Sequence, residues 1–221
     1  MAVLASGGVD SAALVVELAR DSDRVDPIYV RFGLRWEDAE LAGLRAFLQA
    51  VADPRIAPVT VLDEPVADVY GVDHWSVGGT SVPGLDSTDD EVYLPGRNLL
   101  LVTKAAVWCH LRSVDRLALG SLTGNPFPDS SDQFFERLAD VLNLGMAGRL
   151  EIIRPFAGSS KADVLRRSPG LPWHLTFSCL NPDGSGRHCG VCNKCAERIR
   201  AFDRAGIIDP TQYATGRPKT L

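Results

Sequence analysis

The chain has 221 residues, 45% apolar and 23% charged, with 23 basic against 28 acidic residues for a net charge of −5. These figures describe one ordinary globular domain and exclude a fibrous or low-complexity chain; the mild acidity disfavours a general nucleic-acid binder. No apolar run approaches the roughly 18 residues of a membrane span, and the opening run 1–5 is too short and lacks the basic start of a signal peptide. A cytoplasmic, reducing location is therefore expected, where cysteines serve metals or catalysis more often than disulfides.

Short apolar runs alternate with amphipathic stretches along the chain. Residues 2–5 read as a buried strand and 10–20 as a helix, then 26–30 as a strand and 36–51 as a helix. A third strand is predicted at 57–62, followed by an irregular stretch at 63–93 rich in Gly, Asp, Ser and Thr. A strong helix follows at 98–111, a strand at 116–119, a helix at 130–145, a strand at 151–153 and a helix at 159–167. Strands alternating with helices predict an α/β fold: a doubly wound, mainly parallel sheet covered on both faces. Residues 1–170 form the predicted nucleotide-binding domain. Residues 171–221 form a C-terminal helical segment packed on the same domain.

The first strand runs straight into Ser6-Gly7-Gly8-Val9-Asp10-Ser11 and a helix start. Two glycines permit positive φ and close backbone approach, so several amides can face one concavity at a helix N-terminus. The hydroxyls of Ser6 and Ser11 add donors. That is a phosphate cradle. It is no Walker loop, since no Lys-Ser/Thr follows the glycines, and the dinucleotide spacing is absent. An ordinary strand-to-helix turn capped by Asp10 is the plain alternative.

Four of the five cysteines fall between Cys179 and Cys195, spaced Cys179-x9-Cys189-x2-Cys192-x2-Cys195. Four thiolates at such spacings match tetrahedral structural zinc, and an iron–sulfur cluster is the alternative that four cysteines also satisfy. Cys109, inside an apolar helical stretch, reads as a buried structural thiol.

The Ser6–Ser11 string resembles the signature of the PP-loop ATP pyrophosphatase superfamily. With the cysteines, the whole chain resembles the 7-cyano-7-deazaguanine synthase family. Pro95-Gly96-Arg97-Asn98, Gly120, Phe127-Pro128-Asp129, Lys161-Ala162-Asp163, and Thr176-x-Ser178-Cys179 carry the likeness between the two motifs. The resemblance implies that ATP adenylates 7-carboxy-7-deazaguanine, ammonia displaces AMP to give an amide, and a second ATP activates the amide so that the nitrile forms. It implies ATP, Mg²⁺ and Zn²⁺ as cofactors. It implies nucleotide contacts along Ala5, Ser6, Gly7, Gly8, Val9, Asp10 and Ser11 and at Arg35 and Gly120. Catalytic roles fall to Asp10, Ser11, Arg97 and Lys161, and substrate contacts to Arg97, Asn98, Phe127 and Asp129. The zinc ligands are Cys179, Cys189, Cys192 and Cys195. A homodimer is implied as well.

The departures from the family pattern surround the substrate. The loop Gly120-Ser-Leu-Thr-Gly-Asn-Pro126 carries no acid, where family members usually place one to accept from the ring N–H groups. A paralogue that stops at the amide, or transfers the acyl group to another amine such as one on a protein, is the alternative reading. Two others are a tRNA-modifying PP-loop enzyme and a non-catalytic ATP-binding scaffold. The first would need an RNA-binding extension. Arg187, Lys194, Arg198, Arg200 and Arg204 form only a modest basic cluster, diluted by Glu197 and Asp203.

Overall fold

Strands β1 (Ala2–Leu4), β2 (Asp26–Arg31), β3 (Thr60–Asp63), β4 (Arg116–Leu119) and β5 (Glu151–Ile153) form one parallel sheet in the order β3-β2-β1-β4-β5. The computed structural model describes residues 1–216, so positions 217–221 of the predicted C-terminal segment lie outside the described residues. Alternation along each strand builds two cores. Ala2, Leu4, Ile28, Val30, Leu117 and Leu119 point into one cluster. Val3, Ala5, Tyr29 and Ala118 point into the other. Because both faces are covered, the central strands read as continuous apolar runs.

Helices α1 (Val9–Arg20), α2 (Glu37–Val51), α6 (Lys161–Arg167) and α7 (Asn193–Ala205) supply residues to the second cluster. Helices α4 (Arg97–His110) and α5 (Asp132–Met146) pack on the first, and α3 (Ala67–Tyr70) is a single turn in the irregular stretch. The C-terminal segment joins both cores, since its cysteines and Ile199 enter the first while Ala201 and Phe202 enter the second. Among the described residues no helix is long and apolar enough to cross a membrane.

Three predicted boundaries shift by two or three residues for local reasons. The third strand begins at Thr60 rather than 57 because Pro58 has no N–H for the ladder; upstream only Ile56 bridges to Val25. Helix α5 begins at Asp132 because Ser131 caps it, its hydroxyl accepting from Phe134 N–H at 3.2 Å, after a 3-10 turn at Pro128–Ser130. Helix α6 begins at Lys161 through a capping box. Asp163 N–H donates to Ser160 Oγ at 3.2 Å, and Ser160 N–H donates to Asp163 Oδ2 at 3.0 Å. That box sets Lys161 on the first residue of its helix.

The chain leaves β1 toward β2 and β3 on one side, and β4 and β5 extend the sheet on the other. The C-terminal ends of β1 and β4 therefore flank the point where strand order reverses, which is where open α/β sheets leave a crevice.

Candidate functional site

A cavity of about 740 Å³ opens at this crevice. Its floor is the turn after β1. Gly7 has φ +83°, and a Cβ there would sit 3.0 Å from Leu44 Cβ and 3.1 Å from the Glu40 carbonyl. The turn is held by its serines: Ser11 Oγ accepts from the N–H groups of Ser6 (3.2 Å) and Gly7 (3.1 Å), and Ser6 Oγ accepts from Gly8 N–H at 3.3 Å. Gly8 is the N-cap of α1 and has no side chain to cap it. The first-turn amides of α1 are thus left for an anion.

Lys161 comes over this turn from α6. Its Nζ lies 3.2 Å from Asp10 Oδ2 and 2.5 Å from Glu197 Oε1, and Lys194 Nζ lies 2.6 Å from Glu197 Oε2. Burial opposes the charge on Lys161, but the fields of Asp10 and Glu197 outweigh it and hold the ammonium above its usual range. Burial likewise opposes ionisation of Glu197, and there the two lysines win, holding it below the ordinary carboxylate range. Asp10 goes the other way: burial raises it, with Lys161 only partly compensating.

The opposite wall comes from the start of α4. Asn98 N–H donates to Asp129 Oδ2 at 3.0 Å, and Asn98 Nδ2 donates to the Asp129 carbonyl at 2.9 Å. Asp129 therefore caps α4, whose own N-cap, Gly96, supplies no side chain. Among the described residues, the buried side-chain polar atoms without a partner are Asp10 Oδ1 and Arg97 Nε, and both residues line the cavity. A ligand in this cleft would satisfy an unpartnered buried donor and acceptor that the protein leaves open. Two stacked aromatic pairs complete the lining: Trp36 with Trp75 (5.8 Å between centroids, 19°) and Tyr93 with Phe127 (4.9 Å, 24°).

The cysteines meet as their spacing predicts. All four Sγ atoms lie within 4.8 Å of one another, with Cys179 to Cys192 at 3.9 Å and Cys189 to Cys195 at 4.0 Å. Tetrahedral zinc with bonds of about 2.3 Å sets its thiolates about 3.8 Å apart. A cluster of several irons would hold them further apart, so this donor set fits one ion such as zinc. Backbone donors point at the sulfurs, including Cys189 N–H to Cys179 Sγ at 3.2 Å. His188 stands outside the donor cluster: its Nε2 accepts from Ser178 N–H at 3.0 Å. Burial pushes the Cys109 thiol up to about 12, in keeping with a structural residue. The cysteine segment touches the turn after β1 directly, since Phe177 N–H donates to the Gly7 carbonyl at 2.8 Å.

Of the residues predicted from sequence, Ser6, Gly8, Asp10, Arg97, Asn98, Gly120, Phe127, Asp129 and Lys161 line the cavity. Ala5, Gly7, Val9 and Ser11 stand behind the turn and shape it. Arg35 is not brought to the lining; its Nη1 donates to the Gly79 carbonyl at 2.6 Å. The modest basic cluster is split up. Arg198 is fully buried and donates to Thr211 Oγ1, Thr176 Oγ1 and the Trp173 carbonyl, while Lys194, Arg200 and Arg204 line the cavity. Sequence reasoning missed Glu40, Trp75, Tyr93 and the ion-pair role of Glu197. Helical spacing was the available signal for Glu197, because 194, 197 and 201 share a face of α7.

Gly120 sits against the turn so closely that a Cβ there would lie 3.2 Å from the Asp10 carbonyl carbon and 3.2 Å from Ser11 N. Both neighbours are backbone. Gly120→Ala is expected to destabilise the protein by about 1–3 kcal/mol and to weaken pyrophosphate binding about tenfold. Chemical denaturation and calorimetric titration with pyrophosphate check the two effects.

A family model described as "Queuosine biosynthesis protein QueC" matches residues 1–206. A 7-cyano-7-deazaguanine synthase of Chlorobaculum tepidum is 28% identical over 241 residues, covering 99% of this chain and 98% of its own. The same-named protein of Xanthomonas campestris pv. campestris is 31% identical over 227 residues, covering 96% of each. That of Methanothermobacter thermautotrophicus is 29% identical over 221 residues, covering 94% and 96%. Among solved structures, a predicted subunit of a tRNA methyltransferase from Methanocaldococcus jannaschii covers 74% of this chain and 70% of its own at 18% identity, with a TM-score of 0.47. That likeness is too distant to bear on activity. The family match and the full-length relatives carry the conclusion that the chain belongs to the queuosine biosynthesis protein QueC family.

Proposed function

We propose that the chain is an ATP-dependent carbon–nitrogen ligase that converts 7-carboxy-7-deazaguanine and ammonia to 7-cyano-7-deazaguanine, releasing AMP and pyrophosphate. The observation that carries this reading is the pair of unpartnered buried atoms, Asp10 Oδ1 and Arg97 Nε, on one cleft. One suits a cation and the other an anion, as a nucleotide with its counter-ion beside a carboxylate substrate requires.

A carboxylate oxygen is a poor leaving group and AMP is a good one, so the work of the site is to stabilise departing pyrophosphate. The first-turn amides of α1 and the Lys161 ammonium supply fixed positive charge for it. Mg²⁺ held at Asp10 would supply further neutralisation. Arg97 offers its free N–H to the substrate carboxylate as a charge-assisted donor. Tyr93 stacked on Phe127, and Trp36 on Trp75, give flat apolar surfaces for a fused planar ring. Zinc at Cys179, Cys189, Cys192 and Cys195 would be structural, with no open ligand position.

Incubation with ATP, Mg²⁺, ammonium and 7-carboxy-7-deazaguanine is expected to yield two AMP per nitrile, read by mass spectrometry and AMP quantification. Accumulation of the amide alone would favour the paralogue that stops there or passes the acyl group to another amine. No carboxylate-dependent AMP would overturn the ligase reading. The same family likeness carries the expectation of a homodimer, which light scattering checks.

A further inference from the structure

Glu40 lies on α2 behind the phosphate turn and lines the cavity. Its Oε2 accepts from Tyr29 Oη at 2.7 Å, and Tyr29 is buried in the sheet. The carboxylate is thus fixed through one oxygen, and Oε1 has no protein partner among the described residues. Arg97 is close enough to act on Glu40 electrostatically, yet the two form no ion pair and Arg97 Nε stays unpartnered. An acid and a cation that line one cleft without joining leave a gap for a group that uses both.

We propose that Glu40 takes the protons that the nitrogen nucleophile must lose, while Arg97 holds the acyl oxygen beside it. The assignment rests on the ligase reading above. In the first half-reaction the ammonia lone pair forms the C–N bond and the C–O bond to AMP breaks, its electron pair leaving with AMP. One N–H proton passes to Glu40 Oε1. In the second half the amide oxygen attacks the α-phosphorus of a second ATP and pyrophosphate leaves. Two N–H protons then depart as the C–O bond to AMP breaks and the nitrile forms. Each proton goes on from Glu40 to solvent.

A carboxylate of ordinary acidity would be a weak base for this step. Burial raises Glu40 to about 7; Arg97 from α4 and the hydrogen bond from Tyr29 on β2 pull it down, and Glu37 on its own helix pushes it up. A base poised near the working pH is the effective one. Glu37 does not share the role, because its oxygens are bonded to the N–H groups of Phe32 (2.5 Å) and Gly33 (2.9 Å).

The test separates adenylation from amination. Carboxylate-dependent exchange of pyrophosphate into ATP is measured without ammonium, and amide formation with ammonium at constant free ammonia. Glu40→Gln is expected to keep exchange at the wild-type level while amide formation falls about 10²-fold or more. The acidic limb of the wild-type amination profile should vanish in Glu40→Gln, and Glu40→Asp should recover part of the rate with that limb restored. Wild-type amination by Glu40→Gln would overturn the assignment. Equal loss of exchange and amination would also overturn it, since Glu40 would then only support the turn. Absence of exchange in the wild-type protein would instead remove the ligase reading, and the assignment with it.

Discussion

Replacing Asp10 with asparagine is expected to lower AMP release by about 10³-fold or more while leaving fold and metal content intact. Asparagine keeps the volume and the shape of the turn, so the serine hydrogen bonds at Ser6, Gly7 and Gly8 persist. What disappears is one buried negative charge. In the native site that charge has two assignments: Oδ2 holds Lys161 at 3.2 Å, and Oδ1 has no protein partner. After the change, Lys161 still has Glu197 at 2.5 Å, so the lysine stays charged but is drawn toward α7 and away from the turn. The free oxygen that could face a cation is lost outright. Burial already opposes ionisation of Asp10, and Glu197 still pairs with Lys161, so the two effects offset and the variant should melt within a few degrees of the native protein. Pyrophosphate-release kinetics and thermal melting measure the two halves. Turnover retained by Asp10→Asn would mean that the turn does not hold the metal–pyrophosphate pair.

Loss of the metal is expected to have the largest effect on stability. Binding free energies of structural zinc are about 10–16 kcal/mol, against a total stability of about 5–15 kcal/mol for an ordinary domain. Cys195 is fully buried, and its three partners contribute to the same core cluster as β1, β2 and β4. Cys195→Ala should therefore remove zinc, lower the melting midpoint by more than about 10 °C and unravel the segment around the knuckle. The loss should spread to the nucleotide site, because Phe177 N–H bonds the Gly7 carbonyl at 2.8 Å and the Phe177 carbonyl sits 3.5 Å from where a Gly8 Cβ would be. Metal analysis, calorimetric melting and nucleotide titration check the three consequences together. Cys109→Ala is the control and should leave the zinc content unchanged. A zinc-free variant that still bound nucleotide at native affinity would show that the cysteine segment does not brace the turn.

The doubly wound sheet, the glycine turn after β1 and the four-thiol cluster were legible in the linear chain because each is written in a short pattern. Apolar runs between amphipathic stretches imply strands buried on both faces. Ser-Gly-Gly-x-Asp-Ser after a strand implies an anion site through backbone geometry alone. Cysteines two residues apart reach one ion from a single turn. The boundary shifts at Pro58, Ser131 and Ser160 were local too, and proline and capping chemistry accounts for them.

The partners of individual charges were not legible, because they depend on what lies across the fold. Glu37, Asp38 and Glu40 look alike as an acidic first turn of α2, yet only Glu40 reaches the cavity, and the Tyr29 hydroxyl that fixes it comes from β2. Asp129 lines the cavity as a candidate for the substrate ring, and one of its oxygens also caps α4, a helix that begins more than 30 residues earlier. Among the C-terminal cations, Arg198 follows Cys195, Ile199 and Phe202 to the buried face of α7, while Lys194, Arg200 and Arg204 turn toward the cleft. Sequence sets the inventory of ionisable groups and the backbone concavity that attracts phosphate. Tertiary packing decides which groups are stripped of water and which partner each one meets, and desolvation and partner charge together decide whether a carboxylate caps a helix, holds a cation or takes a proton.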